Sequence, residues 1–117
     1  MISNEAAAFL WDAQRAAERI ARFTAGRSYD DHLEDDMLRS AVERQFEIIG
    51  EAFTGLRRLD PALAAQLSDL PKAIAFRNVL VHGYATINHQ VVWDAIRDDL
   101  PRLQASLTQL LGAAPGP

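Results

Sequence analysis

Three segments of the chain place apolar side chains three and four residues apart, and that spacing leaves little choice of fold. Between about Ser3 and Thr24 the series is Leu10, Ala13, Ala17, Ile20 and Phe23, with Phe9 and Ala16 alongside. From Asp36 to Leu56 it is Leu38, Val42, Ile49, Phe53 and Leu56, supported by Ala41, Gln45 and Ala52. After Asn88 it is Val92, Ile96, Leu100, Leu103, Leu107 and Leu110. Such intervals gather side chains on one face of an α-helix, whereas a half-buried strand needs strict alternation. No stretch reads as a convincing strand.

Local signals place the helix ends. Ser3 or Asn4 caps the first helix and Gly26 suits its end. Asp60-Pro61 opens a short helix through about Leu67, with Asp at the cap and Pro at the first position. Ser68-Asp69-Leu70-Pro71 opens the next, which buries Ile74 and Val81 with Phe76 and Leu80, and Gly83 ends it or follows its end. Pro101 falls inside the last periodic series. It lacks a backbone donor and predicts a kink or interruption near Arg97 to Leu100. The expected architecture is all-α, an up-and-down bundle of four main helices plus one short helix. Residues 1–111 are expected to form one domain and residues 112–117 a flexible tail.

Composition removes several function classes. The 117 residues are enough to bury a core. No apolar run approaches the roughly 20 residues of a membrane span. Met1-Ile2-Ser3-Asn4-Glu5 lacks the basic start and apolar block of a signal peptide. The absence of cysteine excludes disulfides and thiolate metal sites and fits a cytoplasmic protein. A formal net charge of −4 argues against coating nucleic acid by bulk electrostatics, so an RNA role is confined to a small site.

One short stretch concentrates chemistry: Arg77-Asn78-Val79-Leu80-Val81-His82-Gly83-Tyr84. Arg holds an oxyanion bidentately, His moves protons near neutral pH, and Tyr offers a hydroxyl. On an intact helix Arg77 and His82 lie roughly 140° apart, whereas Asn78 and His82 share a face. A joint Arg–His site therefore needs a helix end near His82, a long reach by Arg77, or a second protomer. Asn78 is the candidate to orient the imidazole or contact a ligand oxygen. The structural alternative has His82 capping its helix, Arg77 paired with Glu47 or Glu51, and Tyr84 packed with its hydroxyl exposed.

Other polar groups carry two readings each. Arg15, Arg19 and Arg22 form either a solvated face or a strip guiding RNA. The run Asp30-Asp31-His32-Leu33-Glu34-Asp35-Asp36 either complements a helix dipole or binds a divalent ion. Glu43, Glu47 and Glu51 are either a solvated face or catalytic carboxylates. Gly50 costs about 1 kcal/mol in mid-helix relative to alanine. It points to a close approach by another helix on the Glu43/Glu47 side, which the apolar stripe suggests comes from a second protomer. His32 and His89 are expected at the surface.

The spacing Arg77, four residues, His82, one residue, Tyr84 matches the R-x4-H-x-Y motif of the HEPN superfamily, and the chain resembles its HepT-like ribonuclease toxins. Ala41 to Ala52, Val92-Trp93 and Asp99-Leu100-Pro101 resemble that family too, so the likeness spans nearly the whole chain. Lys72 stands where the family often has Trp, and Asn88 where it often has Asp. The resemblance implies a metal-independent endoribonuclease without a cofactor, acting as a homodimer whose motif residues line one cleft. Arg77 and His82 would be catalytic and Asn78 supporting. It also implies a toxin–antitoxin pair in which a minimal nucleotidyltransferase antitoxin adenylylates Tyr84. A non-catalytic helical module that binds a nucleotide or such a partner is the alternative.

Overall fold

A computed structural model describes residues 1–83, 86–114 and 116. The described residues are helical throughout their regular structure, and the fold is all-α. Helix α1 (Asn4–Thr24) starts where the Ser3 side chain accepts from the Ala6 amide. A left-handed Gly26 then turns the chain. Helix α2 (Tyr29–Glu34) follows a reciprocal cap: Ser28 accepts from the Asp31 amide, and the Asp31 carboxylate accepts from the Ser28 amide. This short helix adds to the expected set. Asp35 caps α3 (Asp36–Leu59), and Asp60 caps α4 (Pro61–Ala64). Helix α5 (Leu70–His82) carries the motif.

The last rod is continuous but changes character along its length. Asn88 caps α6 (His89–Asp94) by accepting from the Gln90 and Val91 amides. A π segment, Ala95–Asp99, follows, and then α7 (Leu100–Leu111). The Leu100 amide donates to the Ala95 carbonyl, five residues back. Pro101, at the second position of α7, cannot supply the donor that an α-helix would use there. The wider turn is the form taken by the interruption expected from Pro101.

Helix α1 packs along α3, α5 packs on α3, and α7 packs on α1. Between them Leu10, Ala17, Ile20, Val42, Ile49, Phe53, Leu56 and Leu107 are essentially inaccessible. The three periodic series thus meet in one core. Two expectations change. Phe46 is buried and edge-on to Phe76 at 5.1 Å between ring centroids, which widens the apolar arc of α3. Gly50 is buried as well, and the helix that approaches it belongs to the same chain. A Cβ built there would lie 2.2 Å from the Arg77 Cβ and 3.2 Å from the Ala73 carbonyl oxygen. The close approach is real, but its origin in a second protomer is overturned: Gly50 lies one turn from buried Phe46 and Phe53, inside the arc that α5 covers.

His32 is the second correction. It is completely buried, not at the surface. Its ring lies 5.3 Å from the Trp93 ring and 6.1 Å from that of His89, and neither ring nitrogen has a hydrogen-bond partner among the described residues. His89 is half-buried, with its Nδ1 enclosed and unpartnered in the same sense. Tyr29 adds a further ring against Trp93. The two histidines thus join α2 to the start of α6. Burial is the main cause that pushes the His32 pKa below its ordinary value, and the charges of His89 and Arg39 act in the same direction.

Candidate functional site

The motif helix is built on the Gly50 contact. Because position 50 has no side chain, the first carbons of Arg77 settle against the backbone of α3 and the guanidinium projects beyond it. Its Nη1 donates to the Asn78 Oδ1 at 3.1 Å, while its buried Nε has no partner among the described residues. Asn78 therefore holds the guanidinium. Of its two expected tasks, orienting the imidazole or contacting a ligand oxygen, the first finds no hydrogen bond to His82 among the described residues.

The carboxylates on α3 are engaged elsewhere. Arg44 Nη1 lies 3.4 Å from a Glu47 oxygen and 3.2 Å from a Glu51 oxygen. Arg77 has no carboxylate partner among the described residues, so the expected alternative of a structural Arg77–Glu47 or Arg77–Glu51 pair is not what forms. An arginine anchored at its stem, with its fork unneutralised, is suited to accept a phosphate-like anion.

His82 is exposed in the last turn of α5. The Gly83 amide closes the helix by donating to the Val79 carbonyl at 2.7 Å. A Cβ at Gly83 would stand 2.9 Å from that same oxygen, so the close approach favours glycine there although its φ is an ordinary −116°. Thr86 donates from both amide and hydroxyl to the Gly83 carbonyl, at 2.8 and 3.0 Å. This turn places the imidazole at a helix end, one of the arrangements a joint Arg–His site requires. Tyr84 lies outside the described residues.

The other polar groups resolve into structural roles. Arg15 pairs with Asp12, Arg19 donates to Gln45 on α3, and the Arg22 guanidinium lies over the Phe23 ring. In the acidic run Asp31 and Asp35 are caps, and Asp36 pairs with Arg39. Among the described residues no group of three or more His, Cys, Asp or Glu is placed to hold a metal ion. Nor is any helix among them long and apolar enough to cross a membrane. Glu43 departs from a solvated residue. Burial raises its pKa above the ordinary carboxylate value, a rise that the charges of His89 and Arg39 oppose and that of Glu47 assists.

Comparison with known proteins gives this arrangement a family. The model described as "Ribonuclease HepT-like" matches residues 13–110. A candidate RNase of Methanocaldococcus jannaschii is 29% identical over 106 residues, covering 89% of this chain and 94% of its own length. A candidate ribonuclease HepT of Thermococcus cleftensis is 30% identical over 106 residues, covering 87% and 92%. One from Caldanaerobacter subterraneus subsp. tengcongensis reaches 33% over 88 residues, covering 74% and 76%. No solved structure matches the chain. The matched region begins within α1, takes in the whole motif helix and ends one residue short of the end of α7. The chain belongs to the HepT-like ribonuclease family.

Proposed function

We propose that this chain is an endoribonuclease that cleaves RNA without a metal ion, at a cleft lined by the motif residues of two protomers. The observation that carries the reading is the state of Arg77. Its stem is locked against Gly50, its fork is steadied by Asn78, and no carboxylate among the described residues neutralises it. In this reading Arg77 binds the scissile phosphate and stabilises the charge that builds on its oxygens in the transition state. His82, exposed on the following turn, takes the proton from the attacking 2′-hydroxyl or gives one to the departing 5′-oxygen. One imidazole cannot be base and acid in the same step, and two protomers supply one for each task. The products are a cyclic phosphate on one fragment and a free 5′-hydroxyl on the other.

Control is assigned to Tyr84. A nucleotidyltransferase antitoxin transfers AMP from ATP to its phenolic oxygen: the oxygen attacks the α-phosphorus, pyrophosphate leaves, and the phenolic proton is released. The added bulk and negative charge, two residues from His82, repel the RNA backbone. The chain is thereby the toxin of a toxin–antitoxin pair.

RNA cleavage by wild type and His82→Ala tests the chemistry. Loss of the imidazole is expected to lower the rate by about 10²–10⁴-fold. Because His82 is exposed, the melting curve should not move. Equal cleavage by both proteins would overturn the assignment. Intact mass after incubation with ATP and the antitoxin tests the control: one AMP on wild type and none on Tyr84→Phe is expected, and an adduct on both would refute the site.

A further inference from the structure

A second surface lies beside the motif along α5. Helix α5 rests on α3 while α7 rests on α1, which leaves a cleft of about 400 Å³ between α5 and the α6–π–α7 rod. Phe46 and Ile49 of α3 form part of its floor. The walls run antiparallel, and ion pairs tie them at one end: Lys72 to Asp99 at 2.8 Å, and Arg102 to Asp69 at 2.9 Å and to Asp99 at 3.0 Å. At the open end Val79 and Val91 stand half-exposed, each at 52%. Val79 precedes His82 by one turn on the same side of α5, while Arg77 points about 160° away from Val79, so the cleft adjoins the imidazole and is turned from the guanidinium.

The lining combines apolar side chains with an uncompensated charge. Asp69, Asp94, Asp98 and Asp99 line it, against Lys72 alone among the cations. Lys72 and Arg102 account for Asp69 and Asp99. Among the described residues, Asp94 accepts only from the neutral Gln90 side chain at 2.8 Å, and Asp98 has no ion pair. The unneutralised carboxylates thus lie along the α6–π wall. An apolar trough edged by free carboxylates repels RNA and suits an apolar face flanked by cations. The rod from Val91 to Leu103 is about 18 Å long, room for two to three turns of a helix.

We infer that this cleft receives a short amphipathic helix of a partner protein, its aliphatic side chains between Val79 and Val91 and its lysines or arginines against Asp94 and Asp98. This is helix-in-groove recognition, in which apolar anchors supply affinity and rim charges supply orientation.

The test uses a fluorescent 14-residue peptide with leucines at i, i+3, i+7 and i+10 and lysines flanking them. A control peptide carries glutamate for every lysine. Both are titrated into the full chain without RNA, and again into His82→Ala, so the outcome does not depend on the ribonuclease reading. The lysine peptide is expected to bind in both backgrounds, at least tenfold tighter than the glutamate peptide. Reversing two rim charges in Asp94→Lys/Asp98→Lys should remove most of that preference, and Val91→Glu should abolish binding. None of these positions belongs to the core, and a thermal melt of each variant checks the fold. Equal affinity for the two peptides, or binding indifferent to the substitutions, would overturn the inference. So would sedimentation showing that Val91→Glu dissociates an assembly of the free chain, since the groove would then be filled by a second copy.

Discussion

Replacing Gly50 by alanine adds one methyl group at the place where α3 and α5 touch. The new carbon would stand 2.2 Å from the Arg77 Cβ and 2.7 Å from its Cγ. Ordinary carbon contacts lie at about 3.5–4.0 Å, so the two helices must separate locally by about 1.5 Å. Overpacking of this kind costs about 1–3 kcal/mol. Alanine recovers about 1 kcal/mol of helix propensity, leaving a net loss of about 0–2 kcal/mol. At about 4–8 °C per kcal/mol, the Tm should fall by no more than roughly 15 °C, and the protein remains folded at 25 °C. The effect on cleavage should be much larger. A misplacement of about 1 Å in a positioned catalytic group costs on the order of 10²-fold in rate. Single-turnover cleavage of a short RNA at saturating protein, run beside a thermal melt, separates the two effects. A slowed chemical step in a protein still folded at the assay temperature is expected. A Gly50→Ala protein that cleaves at the wild-type rate would refute the argument that this glycine places Arg77.

Other outcomes follow from neighbouring contacts. Arg44→Ala releases Glu47 and Glu51, which are then free to compete with phosphate for Arg77, so RNA affinity should fall severalfold in a filter-binding assay. Arg44→Ala/Glu47→Gln should recover part of it, and no recovery would argue against competition. The buried His32 has a lowered folded pKa, so below its ordinary value of 6.5 the unfolded chain binds more protons and stability is lost as pH falls towards the folded pKa. Denaturant midpoints should therefore drop between pH 7.5 and 5.5, and His32→Phe should flatten that slope. Glu43 works in the opposite sense: its raised pKa makes the native state the better proton binder above pH 4.5, so its contribution diminishes as pH rises. In Glu43→Gln the loss of stability on acidification from pH 7.5 should accordingly be steeper than in wild type.

The long helices were legible because their apolar periods are regular and their ends carry strong signals, such as Ser3, Asp60-Pro61 and Gly83. The motif was legible from spacing alone, and a helix end near His82 was one of the three arrangements that spacing left open. Three features were harder to read. Gly50 announced a close approach, but only the structure shows that the arriving helix is α5, since α3 carries Phe46 within its apolar arc as well as the expected stripe. Asn78 shares a face with His82 yet also adjoins Arg77 in sequence, and helix angles do not choose between the two partners. His32 was hidden by its neighbours: five carboxylates in the surrounding run made it read as solvated. The pairing of Tyr29 with His32 at i and i+3, after a Ser28–Asp31 cap, was the signal that α2 has a buried side.

The π segment at Ala95–Asp99 has a consequence for how chains of this kind vary in length. A π turn contains one residue more than an α turn, so this rod holds a surplus residue that neither α6 nor α7 needs for its own contacts. Removing one residue from Ala95 to Asp99 would tighten the segment towards an α-helix kinked at Pro101 while Val92 and Leu103 kept their inward faces. The same deletion one turn into α3 would rotate everything after it by about 100° and bury charge. The rod therefore contains a point at which single-residue insertions and deletions are absorbed, and it lies in the wall of the acidic cleft, where a change in length would reshape what docks and leave the cutting residues in place.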